Sequence, residues 1–308
     1  MDIFLQQLVN GLVLGSVYAL VALGYTMVYG ILGLINFAHG EVTMVGAMVG
    51  LAVIGALANT MLPGGVVLAA GLLLAIPVCM GLGMLIERVA YRPLRNAPRL
   101  APLITAIGVS IILQNVAMLI WGKQYIAFPA GILPEGRHNV FGATISDVQI
   151  AILVVSGVVL FGLNLLVQKS RLGRAMRATS QSREVASLMG VDVNRVIAAT
   201  FVIGSGLAAI AGVMVSAYYG LAHYYMGFML GLKAFSAAVL GGIGNLGGAM
   251  LGGLLLGLIE SFGAGYIGDL TGGFLGSHYQ DVFAFFVLIT VLVFRPSGLL
   301  GARVTERA

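Results

Sequence analysis

Residues 148–168 read VQIAILVVSGVVLFGLNLLVQ, residues 169–195 read KSRLGRAMRATSQSREVASLMGVDVNR, and residues 196–217 read VIAATFVIGSGLAAIAGVMVSA. Two uncharged apolar stretches thus flank a segment carrying Lys169, Arg171, Arg174, Arg177, Arg183 and Arg195. Each flank supplies roughly the 20 helical residues that cross a hydrocarbon core of about 30 Å. The alternation runs through the whole chain. Arg88, Arg92, Arg95 and Arg99 form another basic island, and Arg295, Arg303 and Arg307 a third. Together the three islands hold 13 of the 16 Lys and Arg residues. Cationic loops stay on the cytoplasmic side of a membrane. The sequence therefore predicts an all-α polytopic membrane protein with its basic loops inside.

Composition narrows the function classes. A hydrophobic fraction of 59% and a charged fraction of 9% exclude an ordinary soluble domain, in which about a quarter of residues are charged. The net charge of +5 sits in loops that face anionic membrane lipid, and no basic patch is interleaved with stacking aromatics, so nucleic acid is not an expected partner. Cys79 is the only cysteine and lies in an apolar run, which excludes an intrachain disulfide and a thiol metal site. The start carries Asp2 and no nearby Lys or Arg, unlike a cleaved signal peptide, so the first span is expected to be retained. Glycine is abundant, with 45 residues. Close helix packing and broken helices around a path both account for it.

Chemistry is sparse. The only Gly-Lys pair, Gly122-Lys123, is followed by Gln124, so no phosphate-cradling G-x-x-x-x-G-K-[ST] loop exists. If this chain drives transport with ATP, the ATPase is another chain. His39, His138, His223 and His278 are far apart and none has metal-ligand spacing. No acidic pair sits within a span, as a cation pump or membrane protease would need. No catalytic residue, metal ligand or cofactor of this chain's own is expected.

Hydropathy predicts about nine crossings, N-terminus outside and C-terminus inside. The spans are about 5–34, 42–57, 66–86, 101–121, 148–167, 196–217, 226–240, 249–263 and 282–294. Eight or ten stay open, because the first run is long and the region 226–263 is interrupted by Gly241-Gly242-Ile243-Gly244-Asn245-Leu246-Gly247-Gly248. Pro77 predicts a kink. An outer loop is expected at about 122–147 and another at 265–281. The stretches Gly33–Gly40 and Gly242–Gly248 echo one another faintly, by duplication or by chance.

The segment 169–195 reads as two short amphipathic helices. Leu172, Ala175, Met176 and Thr179 fall on one face, and Val185, Leu188 and Met189 on another. Ser180 or Ser182 caps the second helix and Gly190 ends it. Two readings fit: helices lying on anionic lipid, or a docking element for a cytoplasmic partner.

Residues 25–41 (YTMVYGILGLINFAHGE), 87–95 (ERVAYRPLR), 237–244 (AAVLGGIG) and 295–301 (RPSGLLG) resemble the LivH family of permeases for branched-chain amino acid uptake. The resemblance runs from about Gln6 to Gly301. It implies a type II ABC importer permease fold filling 1–308 as one transmembrane domain in a bacterial inner membrane. Its implied partners are a second, LivM-like permease, two LivG/LivF-like ATPase subunits that use the ATP, and a periplasmic amino-acid-binding protein. Related substrates (other amino acids, urea, short amides) stay open, as does the different class of passive channel or ion-coupled carrier. The resemblance makes 169–195 the coupling loop, with Arg171, Leu172, Arg174, Met176, Arg177, Val185, Ala186, Leu188, Met189 and Gly190 as its ATPase-facing candidates. Candidates for the path are Asn36, His39, Glu41, Lys233, Gly242, Gly244 and Asn245. For the first three, gating competes with satisfying broken backbone near the cytoplasmic end of the first two spans. For Lys233, snorkelling to the headgroups competes with contact to an amino-acid carboxylate. Glu260 is expected to face water or pair with a neighbour, and Tyr218, Tyr219, Tyr224 and Tyr225 to form an aromatic belt.

Overall fold

A computed structural model describes residues 2–95, 97–98, 100–140, 142–270 and 279–301. Arg99, His278, Arg303 and Arg307 lie outside the described residues. The helices are α1 (Asp2–Leu32), α2 (His39–Leu57), α3 (Gly64–Ile86), α4 (Leu100–Trp121), α5 (Asp147–Lys169), α6 (Arg171–Gln181), α7 (Arg183–Leu188), α8 (Val193–Tyr219), α9 (Met226–Gly241), α10 (Leu246–Leu270) and α11 (Gln280–Phe294). Among the described residues seven of these are long and apolar enough to cross a membrane, and α9 and α11 are shorter apolar helices. The long first run is one helix. Pro77 stays inside an unbroken α3, which continues as a π-helical turn over Glu87–Tyr91. Helix α10 persists to Leu270, so part of the expected loop from 265 is helical. The expected outer loop also has its own structure. Strand β1 (Ile126–Ala127) pairs antiparallel with β4 (Leu221–Ala222), and β2 (Arg137–Val140) with β3 (Ala143–Ser146). These strands mark one end of the bundle, the hairpin face. The opposite, basic face carries α6 and α7.

Helix starts are written locally. Ser146 accepts from the Gln149 amide while the Gln149 side chain accepts from the Ser146 amide, a reciprocal cap that satisfies two orphan donors. Ser170, Ser182 and Asp192 do the same one-way for α6, α7 and α8. Of the two serines expected to cap the second amphipathic helix, Ser182 is the one used.

Helix α1 is the central pillar: 89% of its apolar stretch is enclosed, against 17% for α4, whose exposed Ile104, Ile111, Leu119 and Ile120 suit lipid. The pillar rests on α10 through glycine. A side-chain carbon added at Gly15 would lie 2.8 Å from the Leu254 backbone, and one at Gly257 would overlap the backbone of Gly15. In lipid, such close backbone approach is what holds helices together.

Two helices start inside the bundle. The His39 ring fills the space beside Gly24 and meets the Tyr25 ring edge-on, 4.9 Å between centroids. Gly24 precedes the end of α1 by eight residues, about 12 Å at 1.5 Å per residue. The chain therefore climbs back into the bundle over residues 33–38, and α2 begins at depth. Helix α9 begins beside it, Gly227 and Gly231 lying against Gly40. Irregular backbone at this depth is tolerated only where protein encloses it and supplies its hydrogen bonds.

Candidate functional site

The segment 169–195 divides its apolar residues between two directions. Gly173, Met176, Thr179 and Ala186 are buried against the bundle, and Leu172 packs on the same core. Val185, Leu188 and Met189 point away, 58%, 86% and 80% exposed. Gly190, at φ +82°, turns the chain out of α7 toward α8. Arg171 is exposed.

Arg174, Arg177 and Arg183 cap carbonyls, while Arg195 pairs with Asp192 at 2.9 Å. Arg174 Nη1 donates to Lys169 O at 3.2 Å. Arg177 donates to the carbonyls of Val167 and Gln168. Arg183 donates to Ile31 O at 3.1 Å and Leu32 O at 2.5 Å. The last carbonyls of a helix have no intrahelical partner, and a cation there also complements the helix dipole. So α6 is fastened to the end of α5, and α7 to the end of α1. Arg183 is named in the basic island but not among the ATPase-facing candidates. Its signal was the absence of any basic residue in the last turn of α1.

A cavity of 1200 Å³ opens on the basic face between these fastened ends. Tyr29, Asn164, Gln168, Arg183, Gly244 and Asn245 are among its lining. It thus joins two path candidates to the amphipathic segment. Gly242 lies instead under residues 300–301. The C-terminal residues of the RPSGLLG motif cover the α9–α10 break. Leu299 and Leu300 amides donate to Leu240 O and Gly241 O, each at 2.9 Å, and Asn245 Nδ2 donates to Leu300 O at 2.8 Å.

Asn36, His39 and Glu41 stand elsewhere, enclosed. Asn36 Oδ1 accepts from the Ala38 amide at 3.2 Å and from Tyr91 Oη at 3.0 Å, so it satisfies the broken backbone. Glu41, 1% exposed, accepts from Ser110 Oγ at 3.1 Å and Gln114 Nε2 at 2.7 Å. Ser110 lies in the middle of α4 and Gln114 beyond it toward the hairpin face. The expectation that this group sits at the end of two spans is therefore corrected: α2 starts deep, and its first turn is bonded to the interior of α4.

Lys233 does not snorkel. Its Nζ lies 2.5 Å from Glu260 Oε1 and 2.7 Å from Asp281 Oδ1, and Tyr18 Oη donates to Glu260 Oε2 at 2.8 Å. Glu260 pairs rather than facing water. The cluster ties α9, α10, α11 and α1 together.

Residues 7–292 match the family described as branched-chain amino acid transport system / permease component. The chain is 50% identical to the high-affinity branched-chain amino acid transport system permease protein BraD of Pseudomonas aeruginosa, over 99% of this chain and 98% of that protein. It is 47% identical to the permease proteins LivH of Escherichia coli K12 and of Salmonella typhimurium, over 99% of this chain and 97% of each relative. No solved structure gives a significant match to the chain.

Proposed function

The chain belongs to the branched-chain amino acid transport system permease family, and from that premise we propose that it is the membrane-spanning subunit of an ATP-driven importer of leucine, isoleucine and valine. It works with a second permease, two separate ATPase subunits that consume the ATP, and a binding protein that delivers the amino acid. The basic face looks into the cytoplasm, a reading supported by the charge asymmetry, and the hairpin face receives the loaded binding protein at a bacterial inner membrane.

One observation carries the coupling half of this reading. An exposed apolar ridge (Val185, Leu188, Met189) stands on a segment whose arginines hold the ends of α1 and α5. Both helices line the 1200 Å³ cavity. A partner that grips the ridge and moves it drags two walls of that cavity, which is how ATP binding in another chain changes access here. Arginine serves this link well because its fork donates two hydrogen bonds at once.

Reconstituted with its partners and binding protein, the complex imports leucine, isoleucine and valine only when ATP is supplied. Preference for urea or short amides in the same vesicles rejects the substrate and leaves the permease reading standing. Orientation is checked separately. A cysteine at Ser180 reacts with an impermeant thiol reagent from the cytoplasmic side alone, and one at Asn139 from the outside alone. The opposite pattern rejects the orientation.

A further inference from the structure

A cavity of 340 Å³ reaches from the hairpin-face residues Tyr125 and His223 down to Tyr18 and Lys233. That size is within the range of small-molecule pockets, about 300–1,000 Å³. Tyr219, Met226 and Met229 are among its walls, and thioether and aromatic surfaces adapt to aliphatic groups. The Lys233 side chain is 14% exposed. An ammonium has three donors; Glu260 Oε1 accepts one of them and Asp281 Oδ1 stands in ion-pair contact at 2.7 Å, so a donor remains for a further acceptor. Glu260 is buried and also holds the Tyr18 hydroxyl, whereas the Asp281 side chain is 30% exposed. The cluster has two carboxylates for one ammonium, and among the described residues no other ion pair reaches them.

We propose that this cavity is a transit subsite for an α-amino acid with an aliphatic side chain. The solute carboxylate takes a donor of Lys233, and its side chain rests on Tyr219, Met226 and Met229. The proposal rests on the import reading above and assigns to it the groups that recognise the solute. Lys233 meets the carboxylate at the floor, and the mostly apolar wall accommodates the hydrocarbon group.

The test uses the whole transporter in vesicles with loaded binding protein and labelled leucine. Lys233→Met removes the donor, and Met229→Trp fills the cavity without touching the ion cluster. At equal amounts of assembled complex, each lowers leucine uptake by about tenfold or more, the factor expected for one lost charge-assisted hydrogen bond or a blocked site. Where Lys233→Met fails to assemble, Met229→Trp decides alone. Uptake by Met229→Trp within about twofold of the parent, well short of that factor, overturns the subsite whatever Lys233→Met does. Failure of the parent to import any aliphatic amino acid overturns the import reading itself, a result distinct from a working parent with indifferent variants.

Discussion

Leu188→Asp abolishes ATP-driven uptake while the permease still inserts and folds. Leu188 is 86% exposed, and a substitution on such a surface changes stability by about 0.5 kcal/mol or less. The effect appears only when a partner covers the ridge. An uncompensated carboxylate in a desolvated contact then costs about 3–5 kcal/mol, so ATPase association weakens by roughly a hundredfold or more. Two measurements check it: the ATPase that co-purifies with the permease, and leucine uptake. Arg183→Ala gives a different signature. The ridge remains intact, so the ATPase stays bound, but the end of α1 is released and uptake per ATP hydrolysed falls. Asn139→Asp, in the hairpin, controls for general damage. If Leu188→Asp alters neither association nor uptake, α7 is a lipid-surface helix and the coupling assignment is wrong.

Gly257→Leu prevents formation of the folded permease. A carbon at this position overlaps Gly15 N and Cα, so α1 and α10 must separate along the most extensive helix contact in the bundle. Overpacking costs about 1–3 kcal/mol where a core can shift and more where it cannot. Here the obstacle is backbone of the central pillar, which has no rotamer to change. The expected result is loss of monodisperse protein in detergent, with Gly257→Ala intermediate and showing a lowered thermal midpoint. Gly157→Leu is the control, because nothing lies within 4 Å of the added carbon there. A stable, monodisperse Gly257→Leu protein would show that α1 and α10 do not pack as described.

These two predictions draw on different levels of information. Spans, basic loops and several helix starts are local properties. A run such as 196–217 is helical and membrane-sized because its own residues leave no alternative in lipid, and Ser182 caps α7 through a bond to an amide three residues away. The amphipathic character of 169–195 was equally legible, since it depends only on spacing.

Direction, depth and pairing were not legible, because they are set by residues far apart in the chain. Spacing grouped Leu172 with Met176 and Val185 with Leu188, but it could not say that the first pair packs inward and the second points out. The packing of α6 against α1, α5 and α8 decides that. Hydropathy placed the polar break of Asn36–Glu41 between two spans; only the contacts of His39 with Gly24 and of Glu41 with Ser110 and Gln114 put the start of α2 deep in the bundle. Lys233 in an apolar run looked like a residue that must reach for water. Its partners lie 27 residues away at Glu260 and beyond that at Asp281, and the Tyr18 that completes the group is 242 residues from Glu260. Sequence alone determined that this chain lives in a membrane, which family it resembles and which loops are basic. Tertiary structure decided which apolar residues are left free for a partner and which charges are satisfied inside, because burial and electrostatic compensation depend on neighbours brought together from separate parts of the chain.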